Sequence, residues 1–277
     1  MKKNDSLNAR PKGTVTSSCK IAFSVMSSFS SVAQSLTDSL KLKQPPVAIC
    51  LTDAVPVGVQ SWSVHSPAGC RFWQEAAARV FATSAIDHSL CSIGQYTHNL
   101  EMSPSSGKDL GDALKVFADL SYVRAEDVAQ IPVLASKPSY VIYGPLAEIP
   151  IDPDVVLLFV RADQTLILSE ASQQLEGGQP PAMGRPACAV IPQAKNSGHS
   201  ALSLGCCGAR AYLDVLSDDV AMYAIPGASI GAFAERIAAL AKANEILTQF
   251  HRLRRRDVEA GKSPTIQESL AVLQSAG

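Results

Sequence analysis

Apolar and polar positions along the chain predict alternating strands and helices. A helix is expected over 28–42, followed by a short apolar run, "PPVAICLTD" (Pro45–Asp53), with turn signals on both sides, which suggests a buried strand. From Arg71, "RFWQEAAARVFAT" is helix-like, with Phe72, Ala76 and Val80 on one face. "DLGDALKVFADLSYV" (Asp109–Val123) is amphipathic, with Leu110, Leu114 and Phe117 on one stripe. "SYVIYGPL" (Ser139–Leu146) reads as a strand closed by a Gly-Pro turn, and "DPDVVLLFV" (Asp152–Val160) is the clearest buried strand in the chain. A helix is expected over 164–175, stopped by Gly177 and Gly178. "PACAVIP" (Pro186–Pro192) is strand-like and "NSGHS" a loop. "SLGCCGAR" (Ser203–Arg210) leads into a helix, "DVAMYAIP" is a strand, and a long helix covers 229–250. A last helix begins near Pro264.

This alternation predicts an α/β or α+β fold, a mixed sheet with flanking helices. Residues 26–277 are expected to form one globular domain with a C-terminal helical tail, and 1–25 a polar, mobile extension. Lys20 followed by an apolar stretch and Ser31-Val32-Ala33 loosely resembles a leader with a cleavage site, but the serines between Ser24 and Ser31 dilute it, and the extension is the better reading. The two halves, 40–145 and 146–250, echo each other. "PPVAICLTD" and "DPDVVLLFV" are both proline-opened apolar runs, "PAGC" before Arg71 resembles "PAC" before Ala189, and "HSLCSIG" resembles "SLGCCG". A duplication would relate the halves by a pseudo-twofold axis, each bringing two cysteines to their junction.

Composition narrows the classes. The 277 residues are 47% hydrophobic and 18% charged, enough to bury a core and too little charge for a disordered chain. The formal net charge of −1 supplies no field that would draw nucleic acid. "HRLRRRD" (His251–Asp257) reads as a solvated helix end whose cations oppose the dipole, and nucleic acid is not an expected partner. No apolar run reaches the roughly 18 residues of a membrane span. Seven cysteines are too sparse and odd in number for a disulfide scaffold, so a reducing, cytoplasmic setting is expected.

In order, "PPVAI", "GCRFWQEAA", "CSIG", "YGPL", "PDVVLLF", "PACAVI" and "SLGCCGAR" resemble the motifs of a prokaryotic family, domain of unknown function 169, or ArCR. The resemblance covers Leu40 to Pro226. It carries no established activity. It implies that Cys70, Cys91, Cys188 and Cys206 fall in the family's cysteine motifs, with Cys207 at a spacer position and Cys19 and Cys50 outside them.

Thiolates are soft ligands, and four of them meeting at one point would suit an iron–sulfur cluster or a tetrahedral zinc. Each of the four sits beside glycine, proline or an expected helix start, where backbone can approach an inorganic core and N–H groups favour thiolate. The close C-x₂₋₄-C pair typical of zinc knuckles is missing, so a cluster, 4Fe-4S first, is expected at Cys70, Cys91, Cys188 and Cys206, with zinc as the alternative. At the adjacent pair, Cys206 is expected to face the site and Cys207 the core; neighbouring cysteines make a poor disulfide.

His88 or His199 could replace a thiolate, and Arg210 could pair with an anionic substrate or cluster ligand. Cys50 is expected to be a buried bystander, Phe72-Trp73 to pack in the core, and Asp152 and Asp154 to serve a turn. No nucleophile elbow, P-loop or dinucleotide fingerprint is present. The expected function is a cysteine-ligated metalloprotein with a redox or small-molecule-binding role, acting with a redox partner or as a homo-oligomer. Two alternatives remain open: a metal-free enzyme with a low-pKa thiol in "GCCGAR", and a small-molecule-binding module with inert buried cysteines.

Overall fold

The computed structural model of the chain describes residues 18–64 and 69–275. The polar lead over 1–17, and Pro67 of the "PAGC" echo, lie outside the described residues. The elements run α1 (Ser18–Leu40), β1 (Val47–Thr52), β2 (Gln60–Ser61), α2 (Arg71–Glu75), β3 (Phe81–Ser84), α3 (Ser92–Thr97), α4 (Pro104–Asp119), α5 (Ala125–Val128) and β4 (Tyr140–Pro145). Then come β5 (Val155–Val160), α6 (Ala162–Leu175), β6 (Ala182–Met183), α7 (Val190–Ser197), β7 (Ala201–Ser203), β8 (Ala221–Pro226), α8 (Ile230–Glu259) and α9 (Ile266–Ser275).

One eight-stranded mixed sheet organises the fold, in the order β2-β3-β4-β1-β5-β8-β7-β6. The order reads the same from either edge. β1 and β5 pair antiparallel at the centre; each is flanked by the last strand of its own half, β4 or β8, and then by the third, β3 or β7. The outermost strands, β2 and β6, pair parallel with β3 and β7. Each parallel pair needs a crossover, and α2 and α7 lie in those two crossovers. The echo between the halves thus corresponds to matching connectivity and pairing sense, strand for strand.

The central strands are apolar on both faces, as buried strands must be. Alternation sorts their side chains. Val47, Ile49, Val141, Tyr143, Val155 and Leu157 face a core shared with α2 and α7. Ala48, Cys50, Ile142, Val156, Leu158 and Val160 face a second core under α1, α6 and α8. Cys50 is therefore separated by the sheet from the four motif cysteines, which belong to the first face. Asp154 ties the centre together: its carboxylate accepts the Leu51 N–H at 2.6 Å and pairs with Lys195.

Several expectations need correction. The helix expected from Arg71 ends at Glu75, and Phe81–Ser84 is a strand whose Phe81 and Thr83 alternate with Ala82 and Ser84. "PACAVIP" is not a strand but a tight turn, Ala187–Ala189, running into α7. Pro192 is tolerated there because it falls in the first turn, where backbone N–H groups have no intrahelical acceptor. α4 starts earlier than its apolar stripe, at Pro104, with the Ser103 side chain accepting the Ser106 N–H at 3.1 Å. The helix expected after "SLGCC" is a single π-helical turn, Gly208–Tyr212. α8 continues through the basic run to Glu259, consistent with a solvated helix end.

Candidate functional site: a four-thiol cavity

The matching connectivity places the cysteines in matching pairs. Cys70 begins α2 and Cys188 lies in the turn that begins α7, so each opens a crossover helix. Cys91 and Cys206 follow β3 and β7, the strands that those crossovers reach. Cys70, Cys91, Cys188 and Cys206 line one cavity of about 170 Å³, with Cys207 also in its lining. Cys70 and Cys188 are buried, and Cys91 and Cys206 are partly covered. Cys207 is exposed, which corrects the expectation that it faces the core; the π-helical turn that follows turns it outward.

Backbone and hydroxyl donors reach the sulfurs. The Thr97 hydroxyl approaches Cys188 Sγ at 3.3 Å, and the Ala209 N–H donates to Cys206 Sγ at 3.4 Å. The Gly94 backbone favours the charged form of the Cys91 thiol, and the Cys70 backbone that of its own. Two glycines make room for Cys91: a Cβ at Gly69 or Gly94 would lie 3.2 or 3.1 Å from its sulfur. Gly69 also holds φ at +69°, a conformation that suits glycine.

Burial dominates the electrostatics. Loss of water pushes the thiols of Cys70 and Cys188 well above the ordinary thiol range and raises that of Cys91, and each is pushed further by the charges that neighbouring cysteines would carry. These couplings join every pair among the four cysteines. Tyr143 is raised in the same way, first by burial and then by Cys70, Cys188 and Cys91. Burial therefore favours the neutral form of these thiols.

Behind the thiols lie two buried histidines whose hydrogen bonds fix their tautomers. His98 Nδ1 lies 2.9 Å from the Gly94 carbonyl, which can only accept, so Nδ1 carries the proton and Nε2 is bare. His88 Nε2 lies 3.0 Å from Thr83 Oγ1, whose own proton goes to the Val141 carbonyl, so Nε2 is protonated and Nδ1 bare. Both bare nitrogens, and Gln95 Oε1, are buried without a hydrogen-bond partner. Desolvation lowers both histidines, His98 to about 4.

Neither His88 nor the exposed His199 is among the side chains lining the cavity. Arg210 is turned to its own loop, donating to the carbonyls of Leu204 at 2.6 Å, Val220 at 3.0 Å, Leu216 at 3.4 Å and Ser217. It buckles residues 204–220, the loop that carries Cys206. Phe72 and Trp73 are core residues; Phe72 packs edge-on to Trp62 at 5.1 Å and to His88 at 4.9 Å. Thr97, His98 and Tyr143 were not legible as site residues, since each acts through a contact distant in sequence. Gly94 had a signal, its place in "CSIG".

The donors at Cys188 and Cys206 are of the kind that stabilises thiolate. Among the described residues, no three or more His, Cys, Asp or Glu side chains form a group spaced to hold a metal ion.

The model of the family domain of unknown function 169, described as uncharacterised ArCR, matches residues 35–236. The fold and its thiol cavity are thus those of a member of an uncharacterised family. The chain belongs to domain of unknown function 169. No curated protein and no solved structure matches it. Among the described residues, no helix is long and apolar enough to cross a membrane.

Proposed function

We propose that this chain is a cytoplasmic cysteine-ligated metalloprotein in which Cys70, Cys91, Cys188 and Cys206 hold an iron–sulfur cluster, 4Fe-4S first. The observation that carries the reading is the gathering of four sequence-distant thiols on one cavity, from matching places in the two halves. The matching strand order also supports an origin of the fold in two related halves.

A single zinc with bonds of about 2.3 Å needs its four sulfurs roughly 3.8 Å apart. The close C-x₂₋₄-C pair typical of structural zinc sites is missing from the sequence, so a cluster stands ahead of zinc. When bound, such a group would supply electron transfer. The chain's own part is to surrender four protons from its thiols, to offer Thr97, Gly94 and Ala209 as donors to the resulting thiolates, and to exclude water.

The second reading, a binding module with inert cysteines, is favoured by the burial that keeps three thiols neutral. Anaerobic purification with iron and sulfide analysis separates the two. Broad absorption near roughly 400 nm with stoichiometric iron and sulfide supports the cluster. Colourless protein that stays iron-free after anaerobic reconstitution overturns it.

A further inference from the structure

The two halves match in strand order but not in what joins their third and fourth strands. Residues 204–220 link β7 to β8, whereas residues 85–139 link β3 to β4 and carry α3, α4 and α5. The part without a counterpart is the part that roofs the cavity. Leu114 and Phe117 of α4, then Tyr122, Val123 and Ile131, line it opposite the thiols, with Ile93, Tyr212 and Leu213 beside them.

The roof is apolar beneath and charged above. On α4, Lys108–Asp112 and Lys115–Asp119 pair on the solvent face, while Leu114 and Phe117, one turn apart, are half-buried over the cavity. Phe117 and Tyr122 hold their rings 5.8 Å apart. Arg185 is the one charged side chain in the lining, and it sits at the rim, 62% exposed, with its guanidinium 3.9 Å from Asp127 of α5. No carboxylate lines the cavity.

We infer that the cavity is a binding site for a small neutral apolar molecule, of about the bulk of one aromatic ring, taken up between the α4–α5 roof and the thiol wall. Size and polarity both select this class. A dry apolar cavity of about 150 Å³ is known to hold benzene or xenon, and this one measures about 170 Å³. A cation entering it would lose its hydration with no opposite charge to meet, and an anion would find only Arg185, at the exposed rim. The inference rests on the thiol site proposed above and names the ligand that its cavity takes when no cluster fills it.

The test uses the full chain in its metal-free form, so that this inference and the cluster reading fail separately. Benzene is titrated against wild type, with backbone amide shifts and thermal unfolding as readouts, and benzoate serves as the charged control. Leu114→Trp, which fills the cavity from the roof, is expected to weaken benzene binding by about tenfold or more while retaining the wild-type circular dichroism. Ile131→Trp is the second filling variant should the first not fold. Saturable benzene binding that shifts amides of residues 91–94, 114–123 and 188, is lost on filling, and is not matched by benzoate supports the inference. Absence of saturable binding to wild type, undiminished binding in the filled variants, or benzoate binding as tightly as benzene overturns it. Iron loading is measured separately and decides only the cluster reading.

Discussion

The Thr97 hydroxyl lies 3.3 Å from the Cys188 sulfur and 3.1 Å from the Gly94 carbonyl, so its one proton has two destinations. With Cys188 neutral, the carbonyl is the better acceptor and the thiol can itself donate to Thr97. With Cys188 ionised on a metal, the proton turns to sulfur. Removing the hydroxyl should therefore weaken the thiolate form more than the fold. Thr97→Val is expected to reduce iron retained after reconstitution and to cost about 1 kcal/mol of stability, whereas Thr97→Ser keeps the iron. Iron per chain and urea midpoints of the two variants check this; equal iron in both would remove Thr97 from the site.

The cysteines should divide by the face of the sheet they occupy. Serine at Cys70, Cys91, Cys188 or Cys206 is expected to lower reconstituted iron sharply. Cys50→Ala, on the opposite core, and Cys207→Ser, exposed at the rim, are expected to leave it near the wild-type level. Iron and sulfide analysis of the six variants reads the division.

Acid should destabilise the protein through its buried histidines. Desolvation holds His98 at about 4 in the fold against an ordinary value of 6.5, although the Gly94 hydrogen bond opposes the shift; His88 moves the same way. Between those values the unfolded chain binds more protons than the folded one. The stabilisation is full above about pH 6.5 and is lost as pH falls toward 4, by about 3 kcal/mol from His98 alone. Urea midpoints from pH 7.5 to 4.5 measure the slope. His98→Asn keeps a donor toward Gly94 without titrating, and is expected to flatten it.

Two glycines should respond in opposite senses to alanine. A Cβ at Gly227 would lie 1.6 Å from the Pro153 carbonyl oxygen, so the β8 end must move away from the β5 entry. Gly227→Ala is expected to cost roughly 3 kcal/mol or more. Gly111, on the solvent side of α4, has nothing within 4 Å of such a Cβ, and Gly111→Ala is expected to stabilise by about 0.5–1 kcal/mol. Thermal and urea unfolding of both variants check the pair.

Much of the central architecture was legible because it is repetitive and apolar. "VVLLFV" and "YVIYGP" could only be buried strands, and both are. The short strands nearer the edges were not. β3 and β7 hold four and three residues, and pairing rather than composition makes them strands. α7 escaped because Pro192 and two β-branched residues mimic a strand when the first-turn exemption for proline is overlooked. For the site, the motif cysteines stood out, and the structure sets all four on one cavity. Their support did not stand out: the partner of Thr97 is 91 residues away, and a histidine's bare nitrogen is visible only once its other nitrogen's acceptor is known. The roof was read as an ordinary amphipathic helix, since a stripe of Leu114 and Phe117 looks the same over a core as over a cavity.

The central ladder between β1 and β5 has one further consequence. It matches only three residue pairs, Val47–Leu157, Ala48–Val156 and Ile49–Val155, where β1 and β4 match six. Two of the thiols ride on one side of this narrow hinge line and two on the other. A guest gripped by all four would act as a rivet through it, and its departure would leave the two wings joined at the centre by those three pairs alone.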